Sequence, residues 1–235
     1  MKKILIVGCG NIGSRHLQSL LDSKNSPLDI TVVEPNEITL NNAKSLFLTP
    51  SDLHHNLTWV LDILDLTETY DFTIVSTQAT NRYHLVNQLL EKGNRRFLIE
   101  KMVCQSISEY NSLLKCFKKY EAKGWVNTNF RYFSFYQKLV EYFSKNIPLT
   151  FTIVGGDKGL GSNAIHFLDL FSWFTNSNTV ILNGDNLTEK LLTNKRSLGL
   201  IEFSGIITGK THDSSISINF SNEFKNSNII EISNS

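Results

Sequence analysis

An apolar run, Ile4-Leu5-Ile6-Val7, leads into Gly8-Cys9-Gly10-Asn11-Ile12-Gly13, and the helical spacing of His16, Leu17, Leu20 and Leu21 follows at once. A second apolar run, Ile30-Thr31-Val32-Val33, ends on Glu34. Strand, GxGxxG turn, helix, strand and acid, in that order and at that spacing, form the unit that holds a dinucleotide. Gly8 permits the tight turn, Gly10 admits a pyrophosphate close to the backbone, and Gly13 lets helix and strand pack closely. The helix start, at Asn11 and Ile12, offers unpaired N–H groups to phosphate oxygens. A carboxylate at Glu34 can accept hydrogen bonds from both hydroxyls of an adenosine ribose, and it repels a 2′-phosphate. Pro35, Asn36 and Glu37 follow and bring no cation to offset that repulsion. The expected cofactor is NAD, with NADP disfavoured.

The elements that position these residues alternate. After Glu34, the pattern predicts a helix near Ile38–Phe47, a short strand over Asn56–Val60 and a turn at Asp62–Leu66. Phe72–Ser76 and Phe97–Glu100 read as strands buried on both faces, as in a parallel sheet. His84–Glu91 and Ser108–Tyr120 read as helices, the first ended by Gly93 and the second capped by Ser106 or Ser108. The expected fold class is α/β. A doubly wound parallel sheet over 1–122 precedes an α+β domain over 123–235 with a mainly antiparallel sheet. In the second part, Trp125–Asn129 and Phe151–Val154 read as strands, and Phe135–Ser144 and Ala164–Phe174 as helices. Thr179–Leu182, Leu198–Phe203, Ile206–Thr211, Ser215–Phe220 and Ile229–Ile232 have β character, while Ser221–Ser235, rich in Asn and Ser, is expected to fray.

Composition narrows the function classes. The 235 residues are 41% hydrophobic and 19% charged with a net charge of +1, which offers no electrostatic pull towards nucleic acid or an anionic membrane. No apolar run approaches the roughly 20 residues that span a bilayer. The N-terminus reads as a first strand and not as a signal peptide. Cys9, Cys104 and Cys116 form no CxxC or Cys/His cluster, which predicts a reducing, cytoplasmic setting and no metal site.

Several motifs stand in order along the chain: Val7–His16, the stretch Thr77-Gln78-Ala79-Thr80-Asn81-Arg82-Tyr83-His84, Glu100-Lys101-Met102, Asn129-Phe130-Arg131, and Gly161-Ser162-Asn163-Ala164-Ile165-His166-Phe167-Leu168-Asp169. Together they resemble the Gfo/Idh/MocA oxidoreductases, the family of glucose–fructose oxidoreductase and inositol dehydrogenase. The resemblance implies that Thr77, Ala79, Asn81, His84, Glu100 and Lys101 line the cofactor. It implies Lys101, His166 and Asp169 as catalytic residues, and Lys101, Asn129, Arg131, Ser162, Asn163 and His166 as substrate contacts. Lys101 follows a buried strand, at the carboxyl edge where doubly wound sheets bind ligands. An ammonium there can hydrogen-bond a substrate hydroxyl. A neutral His166 can take the proton of an alcohol, and Asp169, three residues on and on the same helix face, can orient or charge-tune the ring or instead support the helix or the domain junction.

The departures matter as well. Met102 stands where the family has proline. A cis bond costs a non-proline residue about 2.5–4 kcal/mol, so a trans Lys101–Met102 peptide is expected. Ser162 stands where the family often has an Asp, so a carboxylate proton relay is not expected there. The chain also stops within the family's second sheet, which predicts an exposed sheet edge and a homodimer formed through residues after about 150. The function implied is hydride transfer between NAD and a secondary alcohol of a sugar or nucleotide sugar, in surface-polysaccharide synthesis. The alternative is a non-catalytic dinucleotide-binding partner or sensor.

Overall fold

A computed structural model of the chain describes all residues except 25, 48–53, 144–146, 157–158, 190, 194–200, 222–227 and 235. It divides into two compact units, Met1–Asn127 and Thr128–Ser235.

The first unit alternates strand and helix. Its strands are β1 (Lys2–Val7), β2 (Leu28–Val33), β3 (Asn56–Val60), β4 (Phe72–Val75), β5 (Arg96–Ile99) and β6 (Lys123–Val126). Its helices are α1 (Asn11–Leu21), α2 (Glu37–Leu46), α3 (Arg82–Glu91) and α4 (Ile107–Lys119). All strand pairs are parallel, in the order β3-β2-β1-β4-β5-β6. Period-two alternation in β1 divides the core. Leu5 and Val7 pack with Val86, Leu89, Leu90 and Leu113 of α3 and α4. Ile4 and Ile6 pack with Leu17 of α1 and Ala43 of α2 on the other face. Asn36 caps α2, and of the two serines proposed for α4 it is Ser106 that accepts from the Glu109 N–H, at 3.1 Å. Ile63–Asp65 is a single 3-10 turn.

In the second unit, a 3-10 turn (Asn129–Tyr132) precedes α5 (Ser134–Tyr142), β7 (Leu149–Gly155) and α6 (Leu160–Phe174). The strands β8 (Ile181–Leu187), β9 (Leu192–Thr193), β10 (Ile201–Glu202), β11 (Gly205–Lys210), β12 (Ser215–Phe220) and β13 (Asn228–Asn234) follow. Five of them form a mixed sheet, β13-β7-β12-β11-β8, with β7 and β12 parallel and the other pairs antiparallel. β9 and β10 pair separately. α6 covers one sheet face. Phe171 and Phe174 meet Phe151 edge-on at 5.3 and 5.4 Å between centroids, and Phe167 meets Phe220 at 5.8 Å.

Four expectations about boundaries change. The strand at Trp125 belongs to the first sheet, paired with β5, so the division falls after Asn127 and not after 122. Asn129 lies in a 3-10 turn and not in a strand. α6 begins at Leu160, four residues earlier than the apolar spacing indicated, because its first turn is polar. Of the stretch expected to fray, 222–227 and 235 lie outside the described residues, and 228–234 are not frayed, since β13 pairs along the whole of β7. Of the strand expected over 198–203, residues 198–200 lie outside the described set and Ile201–Glu202 pair with β9. Among the described residues, no helix is long and apolar enough to cross a membrane.

Candidate functional site

The glycine turn joins β1 to α1 beside the end of β4. Gly8, at φ +89°, occupies backbone space that favours glycine, and its N–H donates to Val33 O at 2.8 Å. Ser76 Oγ donates to Gly8 O at 2.7 Å. A Cβ on Gly13 would lie 2.0 Å from Gly8 O, so helix and turn are as close as a glycine allows. Among the described residues, a Cβ on Gly10 would meet nothing within 4 Å, and no side chain caps α1. Open space over Gly10 and an uncapped helix start at Asn11 and Ile12 fit a pyrophosphate. Glu34 is 8% exposed, and its Oε2 accepts from the Cys9 N–H at 2.7 Å while Oε1 accepts from the Asn36 N–H at 3.0 Å. It therefore braces the glycine turn against the start of α2, and each oxygen keeps a lone pair for a ribose hydroxyl. Burial raises the Cys9 thiol pKa, so this cysteine inside the turn stays protonated.

Thr77 follows β4 and touches the glycine turn: a Cβ on Gly8 would lie 3.0 Å from Thr77 N. Ala79 O accepts from the Arg82 N–H at 3.2 Å, and Asn81 takes a left-handed conformation as the N-cap of α3. His84 is exposed on the first turn of α3, with its ring 5.0 Å from that of Tyr83.

Glu100 follows β5 and turns inward. Its carboxylate is 2.9 Å from His16 Nε2 and accepts from Asn127 Nδ2 at 2.5 Å. Burial alone would raise its pKa; the hydrogen bonds from His16 and Asn127 outweigh it and hold the carboxyl below its ordinary 4.5. Glu100, expected as a cofactor contact, forms an internal clamp joining α1, β5 and the chain after β6. Lys101 follows, half-buried, at the carboxyl edge of the sheet. The Lys101–Met102 peptide is cis, contrary to the trans bond expected from the loss of proline.

Arg82, absent from the expected site, is 2% exposed. Its Nη1 donates to the carbonyls of Glu100 and Met102, and Nη2 donates to Thr77 O. Burial lowers its pKa to about 10, opposed by the nearby Glu100 carboxylate. A signal was present in the sequence, because Arg82, Val86 and Leu89 fall at i, i+4 and i+7 on one helix stripe.

In the second unit, Ser162 and Asn163 lie in the first turn of α6, one turn before His166. Asn163 Nδ2 donates to Gly159 O at 2.9 Å and to Ser162 Oγ at 3.1 Å. Glu202, 6% exposed on β10, accepts from the Ser162 N–H at 3.1 Å. It is a second residue the sequence reading missed: a carboxylate brought to a helix N-terminus from 40 residues away. The half-buried His166 ring lies on Phe130, with centroids 5.1 Å apart and planes 24° apart. Its Nδ1 is buried. Asp169, expected to orient that ring, pairs with Arg131. Its carboxylate takes Arg131 Nε at 2.6 Å and Nη2 at 2.7 Å, and its carbonyl takes Nη2 at 3.1 Å. A guanidinium fork offers two charge-assisted bonds where an imidazole offers one. The same pairing occupies Arg131, expected as a substrate contact. Asn129, at the start of the 3-10 turn, is exposed. Among the described residues, no group of three or more His, Cys, Asp or Glu side chains is placed to hold a metal ion.

A parallel sheet ordered 3-2-1-4-5-6, with a glycine turn, an open helix start and an acid at the end of β2, defines a dinucleotide-binding protein. The chain belongs to the GFO_IDH_MocA family, the oxidoreductase family with an NAD-binding Rossmann fold, whose model matches residues 2–128. It is an oxidoreductase with NAD as cofactor. No curated protein sequence matches the chain. Solved structures share the fold. A dehydrogenase (MviM) from Clostridium difficile superposes with a TM-score of 0.73 at 16% identity, over 99% of this chain and 74% of that one. myo-Inositol dehydrogenase from Lactobacillus casei, solved with NAD(H) and myo-inositol, gives 0.75 at 14% identity, over 99% and 70%. The WlbA dehydrogenase from Bordetella pertussis, solved with NADH and UDP-GlcNAcA, gives 0.73 at 15% identity, over 100% and 77%.

Proposed function

We propose that this chain oxidises or reduces one carbon of a sugar or nucleotide sugar, interconverting a secondary alcohol and a ketone. The observation that carries the reading is His166, a half-buried imidazole on α6 held against Phe130 with Nδ1 buried. Ser162 and Asn163, one turn earlier, add the polar groups that hydroxyl-rich ligands need. The ligands of the two solved dehydrogenases, myo-inositol and UDP-GlcNAcA, support the substrate class.

Gly8, Gly10, Gly13 and the start of α1 would hold the pyrophosphate of NAD, and Glu34 its adenosine ribose. When bound, NAD supplies the acceptor for the hydride leaving the alcohol carbon. Lys101 donates a hydrogen bond to the reacting oxygen through Nζ. His166 takes the hydroxyl proton at Nε2 as the carbonyl forms, and returns it in the reverse reaction. The protein works in the cytoplasm as a homodimer joined through residues after about 150, and its products enter surface-polysaccharide synthesis. Light scattering of a stable monomer at tens of micromolar would remove the dimer from this proposal.

The test is turnover with NAD and a panel of inositols, free sugars, UDP-sugars and UDP-uronic acids, followed by NADH absorbance. Lys101→Ala and His166→Ala should each lower kcat by about 10²-fold or more with little change in NAD affinity. NAD(H) should bind at least about tenfold tighter than NADP(H), and Glu34→Ala should narrow that gap. Unchanged turnover in both variants overturns the assignment of Lys101 as hydrogen-bond donor and His166 as base. No turnover with any member of the panel gives way to the non-catalytic dinucleotide-binding reading.

A further inference from the structure

Lys101 sits between two carbonyl groups that a single side chain holds. Arg82 Nη1 donates to the carbonyl of Glu100, the residue before Lys101, and to that of Met102, the residue after it. Nη2 of the same guanidinium donates to the carbonyl of Thr77, in the loop between β4 and α3. One planar group thus ties together the two loops at the carboxyl edge of the sheet, the one beside the glycine turn and the one carrying Lys101.

Ordinary stability does not explain the choice of arginine. Arg82 is the first residue of α3, where a cation opposes the helix dipole, and it is almost wholly buried, where a charge is costly to desolvate. Its hydrogen-bonded carbonyl partners are neutral. A residue that breaks two local rules at once, inside an otherwise consistent sheet, is expected where function demands a fixed geometry. The geometry also requires arginine in particular. Three carbonyls on two loops are reached from two nitrogens of a rigid fork, whereas a lysine ammonium is a point charge on a flexible stem. The charge is retained at neutral pH, because burial lowers the guanidinium pKa only to about 10.

We propose that Arg82 is a positioning residue for Lys101: by clamping the carbonyls of Thr77, Glu100 and Met102 it locks the β4–α3 and β5–α4 loops together and sets where the Lys101 ammonium stands. The proposal rests on the role given to Lys101 under the proposed function.

The test uses the full chain with Arg82→Lys, which keeps the charge, and Arg82→Met, which keeps an unbranched apolar stem without the guanidinium. Hydrogen exchange on the cofactor-free protein reads the clamp without any substrate. Amides in 77–81 and 100–104 should exchange at least about tenfold faster in both variants, with β1, β2 and the second unit unchanged. Exchange unchanged in those two segments, exchange raised throughout the first unit, or failure of both variants to fold each makes Arg82 a core residue only and overturns the proposal. Turnover on whichever member of the sugar panel is active separates this inference from the reading beneath it. Arg82→Lys should lower kcat about tenfold with less change in KM, and should add nothing in the Lys101→Ala background. Additive losses overturn the positioning role while leaving Lys101 catalytic. Full activity of Lys101→Ala alone overturns the reading of Lys101 itself.

Discussion

The Asp169 carboxylate and the Arg131 guanidinium meet through two side-chain bonds, 2.6 Å to Nε and 2.7 Å to Nη2, fastening the 3-10 turn after Asn127 to the middle of α6. Asp169 shares a helix face with His166, so either partner was open to it from spacing alone. The arginine wins on geometry, because its fork engages both carboxylate oxygens.

This pairing gives Asp169 a structural role. The Arg131 side chain is 36% exposed, so solvent screens the pair, and a coupling of about 1 kcal/mol is expected from a double-mutant cycle of Arg131→Met and Asp169→Asn in chemical denaturation. Asp169→Asn should lower stability without moving the pH–rate profile. A shifted acid limb in that variant would return Asp169 to orienting the His166 ring.

Gly10 and Gly13 separate binding from folding. Among the described residues, an added Cβ at Gly10 meets nothing within 4 Å, so Gly10→Ala should change stability by no more than about 0.5 kcal/mol while weakening NAD binding about tenfold or more. At Gly13 the added carbon would sit 2.0 Å from Gly8 O, and the backbone must move, at a cost of about 2 kcal/mol or more. Denaturation and fluorescence titration of the two variants read both quantities. Equal losses of stability would mean the turn is not packed as described.

The alternation of strand and helix was legible because each strand in the first unit is a short apolar run and each helix carries an apolar stripe, the two periods that sequence displays best. The glycine turn and Glu34 were legible because their chemistry is local. What stayed hidden was the non-local use of charge. Glu100 reads as a strand-end acid, yet its partners lie 84 residues earlier at His16 and 27 later at Asn127. Glu202 caps a helix that begins some forty residues before it, a pairing that no window of sequence contains. Arg82 falls within a motif, but its burial follows from the stripe it shares with Val86 and Leu89, and charge on an apolar stripe is readily taken for a boundary. The polar first turn of α6 likewise hid the helix start, since Leu160 to Asn163 show no apolar period.

Glu100 also makes stability depend on acidity in a definite direction. Burial of the carboxyl is outweighed by its bonds to His16 and Asn127, so its folded pKa lies below 4.5, the ordinary value. A carboxylate depressed in this way stabilises the fold fully above the unfolded pKa, and that contribution is lost as pH falls through the folded one. Glu100→Gln keeps the shape but removes the charge, and should cost about 1–3 kcal/mol at neutral pH, the usual loss when a buried charge-assisted hydrogen bond is broken. The gap between the parent and this variant should then shrink as pH drops below about 4.5, because the parent protonates the same oxygen that the variant lacks as a charge. Denaturation midpoints of both proteins across the acid range measure the gap. A gap that stays constant through that range would mean Glu100 carries no ionised clamp, and that His16 and Asn127 are held by packing alone.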